Sequence, residues 1–136
     1  MKIVILGLSR FGVQFATLMR EAGHQLALID RSPESFSRLP KNFDAVPVLG
    51  IGIDEDVMRK AGVDQADLFV AATDSDNTNL MAAQVAKVVF NTKRSVARVH
   101  DQDRAEIFNA LGLIEVICPS LEGAKALAQS LTKRGA

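Results

Sequence analysis

The chain has 136 residues, 48% of them hydrophobic, which is enough for one packed core and too few for two full-sized domains. Lys plus Arg and Asp plus Glu both number 16, so the basic excess that draws proteins to nucleic acid or anionic lipid is missing, and no nucleic-acid partner is expected. One cysteine, Cys118, and two histidines remote from each other, His24 and His100, form neither a disulfide framework nor a metal-ligand spacing, which fits a reducing, cytoplasmic setting.

Lys2 to Leu6 is a short apolar run with the composition of a strand, and too short for a signal-peptide core. Phe11, Phe15, Leu18, Met19 and Ala22 then recur at helical spacing, and Gly23 is placed to end that helix. Gln25 to Ile29 reads as a second strand. Ser32 and Pro33 supply a cap and a first-turn proline for a helix, and Ala45 to Leu49 reads as a third strand. Asp54 precedes an acidic first turn, and Gly62 closes the helix it starts. Leu68 to Ala72 is the fourth strand. Leu80, Met81, Gln84, Val85, Val88 and Val89 mark the apolar face of the longest helix, and Ser95 to Val99 and Glu115 to Ile117 are the last two strands. Pro119 and Ser120 open a final helix whose stripe is Leu121, Ala124, Leu127, Ala128 and Leu131. Runs this apolar are expected to be buried on both faces. The alternation predicts an α/β fold: a Rossmann-like, doubly wound, mostly parallel six-stranded sheet with helices on both faces and a ligand crevice beyond the carboxyl ends of the strands.

Residues 3 to 12, IVILGLSRFG, gain meaning from this order. Gly7 ends the first strand, Gly12 falls in the first turn of the first helix, and Asp30 ends the second strand. That is the arrangement in which a glycine makes a tight turn, a helix N-terminus faces a pyrophosphate and a carboxylate accepts from ribose hydroxyls. Ser9 stands where a third glycine is usual. Its side chain narrows the approach to a phosphate, while its hydroxyl is a candidate donor to one. Asp30 repels a 2'-phosphate and so favours NAD(H) or an adenine mononucleotide over NADP(H), and Arg31 beside it weakens that exclusion.

Beyond these features, GLSRFG at 7 to 12, LALID ending at Asp30, LGIGIDEDVMRKAG at 49 to 62, AATDSDNTNLMAAQVAK at 71 to 87 and ARVHDQDRAEIFNALG at 97 to 112 resemble the RCK N-terminal (KTN, TrkA-N) domain of Trk-type potassium-uptake regulatory proteins. The resemblance runs over nearly the whole chain. It implies that Gly7, Ser9, Arg10, Phe11 and Gly12 bind the phosphates of NAD(H) or ATP/ADP and that Asp30 holds ribose. It also implies that Gly50 and Ile51 line the adenine pocket, Ile51 standing where the family usually has an acid. Ala72, Thr73 and Asp74 would close the crevice. Arg98 resembles an arginine near the ligand, with an ion-pair role inside the fold equally open.

Two functions compete on this reading. In one, residues 1 to 118 form a nucleotide-binding domain and residues 119 to 136 a dimer-forming helix, and a homodimer or larger ring controls an integral-membrane potassium transporter or channel from the cytoplasmic face without chemistry of its own. In the other, the chain is the cofactor-binding domain of an NAD-dependent oxidoreductase. The resembling family usually continues into a second, smaller lobe, so this is either a single-domain member or the first part of a longer chain. His100 is not expected to be catalytic, and Cys118 is expected to be a small buried side chain.

Overall fold

Six strands, Lys2–Leu6 (β1), Gln25–Asp30 (β2), Val46–Leu49 (β3), Leu68–Ala71 (β4), Arg94–Arg98 (β5) and Glu115–Ile117 (β6), form one sheet in the order β3-β2-β1-β4-β5-β6, with every pairing parallel. The computed structural model describes residues 1–133. Parallel neighbours need crossovers. These are supplied by α1 (Arg10–Glu21), a 3-10 turn at Pro33–Arg38, α2 (Glu55–Lys60), α3 (Asp76–Val88) and α4 (Gln102–Leu111), and α5 (Pro119–Lys133) follows β6. The winding reverses beside β1, with β2 and β3 to one side and β4 to β6 to the other, so the chain leaves β1 and β4 in opposite directions and a crevice opens between them.

The alternation of side chains along each strand sorts the core into layers. Ile3, Ile5, Leu28 and Val70 pack on Ala16 of α1, whereas Val4, Leu6, Ile29 and Phe69 pack on Met58 of α2 and on Ala82 and Ala86 of α3. A third cluster joins Ala83 and Ala105 of α3 and α4 to Ala97 and Val116 of β5 and β6.

Burial on both faces holds for the central strands and fails at the edges. β4 is buried throughout, but in β3 only Val48 is buried and Val46 and Leu49 are exposed, because no strand or helix lies beyond them. The apolar face assigned to α3 is also corrected. Its buried residues are Asn79, Leu80, Ala82, Ala83 and Ala86, while Met81, Val88 and Val89 face solvent. Small side chains let the helix sit close to the sheet, and the bulky ones are rotated away. Leu18 in α1 is exposed for the same reason, with Ala16 beneath the helix. The segment opened by Ser32 and Pro33 is a 3-10 turn, with the Ser32 hydroxyl bonded to Glu34 at 2.7 Å and no side-chain cap. The longest helix is α5, with 15 residues against 13 in α3, and none of its described residues is buried.

Gly12 is hemmed in by backbone. A methyl group there would run into the carbonyl oxygen of Gly7, whereas Gly123 on α5 has nothing near it. Gly12→Ala is therefore expected to cost about 1–3 kcal/mol through overpacking, and Gly123→Ala to add roughly 0.5–1 kcal/mol through helix propensity. Urea midpoints compared at unchanged slope check both. Equal midpoints for the two variants would contradict this account.

Candidate functional site

Gly7 leaves β1 with φ +97°, and a Cβ there would lie 2.6 Å from the Thr73 amide nitrogen. The turn from β1 into α1 thus passes directly against the chain leaving β4. Ser9, buried, caps α1: its Oγ accepts from the Gly12 amide at 3.2 Å and donates to the Ala72 carbonyl at 2.6 Å. The hydroxyl expected to be available to a phosphate is therefore engaged inside the fold. The Val13 amide also closes on Ser9, at its carbonyl, which leaves the amides of Arg10 and Phe11 as the open donors of this helix end.

Asp30 joins two turns. Its Oδ2 accepts from the Leu8 amide and its Oδ1 from the Ser32 amide, both at 2.9 Å. Each carboxylate oxygen keeps a second acceptor site for a hydroxyl. Across the crevice, the loop after β4 is held by Asn79, which is fully buried. Its Oδ1 accepts from the Thr73 amide at 2.8 Å and the Thr73 hydroxyl at 2.6 Å, and its Nδ2 donates to the carbonyls of Thr73 and Arg98. Arg98 lies beneath this loop, 9% exposed, with Nη2 donating to the Thr73 carbonyl at 2.6 Å and lying 3.6 Å from Asp74. Its Nε has no hydrogen-bond partner, and its guanidinium sits 5.8 Å from the centre of the Phe11 ring.

The resulting crevice has a volume of about 520 Å³, within the range of small-molecule sites. Gly7, Ser9, Asp30 and Arg31 line one wall. Gly50 and Ile51 form a lip beside Asp30, whose carbonyl accepts from the Gly50 amide at 3.1 Å, and Thr73 and Asp74 line the crevice from the end of β4. Arg10 lies in an adjoining cavity of about 490 Å³, together with Ser9 and Asp74. Four residues singled out from the sequence do not line either space. Gly12 and Ala72 are buried behind the turn, Phe11 packs on the core and stacks on Phe15 at 6.4 Å, and Arg98 sits under the loop. Ser35 and Arg38, which no motif singles out, also line the crevice, and so does Ile53 from the turn of Gly50 and Ile51. The repeated Gly-Ile of residues 50 to 53 was the available sign for Ile53. Arg38 carries no local signal, since the chain brings it back only through the 3-10 turn.

Charge is distributed unevenly around this opening. Among the described residues, Arg20, Arg59, Arg94, Arg98 and Arg104 each face a carboxylate. Arg10, Arg31 and Arg38 face none, and all three lie at the two cavities. Helix starts show the same bias. α2, α3, α4 and α5 each place an acid in the first turn, as the helix dipole favours, while α1 has none and begins with Arg10. His100 lies to one side, its Nδ1 2.8 Å from Asp76 and its amide donating to the same carboxylate. Burial pushes Asp76 up, but these hydrogen bonds outweigh it and hold the carboxyl below its usual range. Cys118 is buried with a free thiol.

A family model described as the TrkA-N domain matches residues 3–119. The Trk system potassium uptake protein TrkA of Streptomyces coelicolor is 42% identical over 113 residues, covering 83% of this chain and 51% of that protein. The chain thus spans about half the length of this relative. Among solved structures, the Shewanella denitrificans Kef CTD in its AMP-bound form aligns with a TM-score of 0.78 at 25% identity, over 100% of this chain and 83% of that one. The GsuK channel bound to NAD aligns at 0.77 and 26% identity, over 98% of this chain and 24% of that one.

Removing the Ser9 hydroxyl leaves a buried amide and a buried carbonyl without their partner. Ser9→Ala is expected to lower stability by roughly 1–2 kcal/mol, read as a fall in the urea midpoint. A midpoint equal to that of the unmodified protein would show that the cap contributes nothing.

Proposed function

The chain belongs to the TrkA-N family, and from that membership we propose that it is the nucleotide-sensing domain of a regulator of a potassium uptake system or channel. The observation that carries this reading is the start of α1. A helix end that lacks an acid, begins with an arginine and has a second guanidinium without a carboxylate partner, Arg38, over its turn is unfavourable by itself and suited to an anion. The residues fit an adenine nucleotide. The amides of Arg10 and Phe11 take a phosphate, Asp30 accepts from the ribose, and the base lies between Arg31 and the apolar lip of Gly50, Ile51 and Ile53. Thr73 and Asp74 border the ligand, and Gly7, Gly12 and Ala72 allow the turn its close approach. Phe11 and Arg98 support the loops from behind. NAD(H) or ATP/ADP are the ligands of this reading, supported by the NAD and AMP of the similar structures.

The regulatory role follows from linkage. A nucleotide that binds one arrangement of an assembly better than another shifts their populations, and a membrane partner responds to the shift. No helix among the described residues is long and apolar enough to cross a membrane, and in this proposal the domain acts on the cytoplasmic face of its transporter. Residues 1 to 118 form the binding domain in this proposal and α5 (Pro119–Lys133) serves assembly, the rest of the expected 119 to 136 segment lying outside the described residues. Leu127 and Leu131 of α5 are 63% and 50% exposed, and a second copy of the chain covers them in a homodimer or larger ring. The oxidoreductase alternative is less well supported, because the similar curated protein is a potassium uptake protein.

Two measurements test the proposal. Adenine nucleotides at a hundred times their Kd are expected to stabilise the protein by about 2.7 kcal/mol, seen as a rise in Tm, with NADH more effective than NADPH. Asp30→Ala should narrow that preference, a change that general destabilisation of the turn does not produce. No stabilisation by ADP, ATP or NADH would sink the ligand assignment. Light scattering is expected to show at least a dimer, and Leu127→Asp to yield monomers; a monomeric unmodified protein at high concentration would refute the assembly.

A further inference from the structure

Arg38 is the residue of the site with no counterpart in the motifs considered above. It lies at the end of the 3-10 turn, 30 positions from Leu8 in sequence, and its Nη1 donates to the Leu8 carbonyl at 2.8 Å. That bond holds a long, otherwise exposed side chain over the turn that starts α1. It faces no carboxylate among the described residues, and Leu8 is its one hydrogen-bond partner there. A guanidinium presents five donors in a rigid fork, so most of its hydrogen-bonding capacity is directed elsewhere.

The larger cavity, with Asp30 and the Gly50 to Ile53 lip, and the smaller one, with Arg10, Val13 and Gln14 along α1, share three lining residues: Ser9, Arg38 and Asp74. The Ser9 hydroxyl is taken by Ala72 and Gly12. Asp74 is negative and exposed, and its nearest cation is Arg98. Arg38 is therefore the only cationic group common to both spaces. A nucleoside monophosphate with its base at the lip and its phosphate against Gly7, Leu8 and Ser9 lies in the larger cavity alone. A second phosphate extends toward Arg10 in the smaller cavity and passes the residues common to both, Arg38 and Asp74 among them.

We propose that Arg38 is a specificity-determining residue that bridges the two phosphates of a diphosphate ligand at the junction of the cavities, selecting nucleoside diphosphates and dinucleotides over monophosphates. This rests on the reading of the crevice as a nucleotide site. The guanidinium offsets the repulsion that Asp74 exerts on the second phosphate. Its anchor on Leu8 limits the freedom lost when the ligand binds, which favours a charge-assisted contact over a mobile surface arginine.

Calorimetric titration of the unmodified protein, Arg38→Met and Arg38→Lys with adenosine, AMP, ADP and NADH tests it. Arg38→Met is expected to weaken ADP and NADH by about tenfold or more, as loss of a charge-assisted hydrogen bond does, and to leave adenosine and AMP within about twofold. Arg38→Lys keeps the charge without the fork and should fall between. If Arg38→Met binds ADP as the unmodified protein does, the inference is wrong while the nucleotide site stands. If it loses AMP and ADP equally, the arginine only holds the Leu8 turn, and the inference is again wrong. Failure of the unmodified protein to bind any of the four would overturn the nucleotide site and this inference with it.

Discussion

The close contact between the turn after β1 and the chain leaving β4 governs the rest of this structure. Gly7 leaves no room for a side chain against Thr73, Gly12 sits on the Gly7 carbonyl, and the Ser9 hydroxyl ties the turn to Ala72. A parallel sheet that winds in both directions from β1 always has a gap at this point. Here the gap is narrowed by two glycines and fastened by one hydroxyl, so the start of α1 is fixed relative to both halves of the sheet. The crevice inherits its shape from that contact. A hydroxyl that caps the helix also withdraws one amide from any ligand, which makes the site narrower in its donors than a glycine-only turn.

The far wall is fixed by a different means. Asn79 meets each of its hydrogen-bonding positions inside the fold, and Arg98 reaches up to the same Thr73 carbonyl from β5. A buried amide that is fully paired rigidifies its surroundings, whereas a half-paired one costs stability. Asn79 belongs to the first kind, and the unpaired Nε of Arg98 is the exception in this network. Thr73 and Asp74 are therefore presented to the crevice by residues of α3 and β5. A shift of Thr73 therefore alters hydrogen bonds to both.

The outer surface carries the complementary feature. Helix–sheet packing close enough to bury Ala82, Ala83 and Ala86 turns Met81, Val88 and Val89 outward, and Ile107, Leu111, Leu127 and Leu131 on α4 and α5 are exposed as well. The apolar residues that a helical pattern assigns to the core thus lie partly on the surface. Large side chains outside and alanines inside are a consequence of the short distance between α3 and the sheet.

The order of elements, the parallel sheet and the position of the crevice were legible in the sequence, because apolar runs of strand length, helix-ending glycines and the Gly7, Gly12 and Asp30 spacing are local signals with local physical causes. Only the folded chain decided what those residues are bonded to. Ser9 looks like a phosphate donor until the fold places the Ala72 carbonyl 2.6 Å from it. Arg38 looks like one surface arginine among several until the turn at Pro33–Arg38 lays it over Leu8. Which arginines find a carboxylate and which face of α3 is buried depend on distances between segments far apart in the chain. A periodicity or a motif contains none of those distances, since side-chain partners are selected by the packing of helices on the sheet.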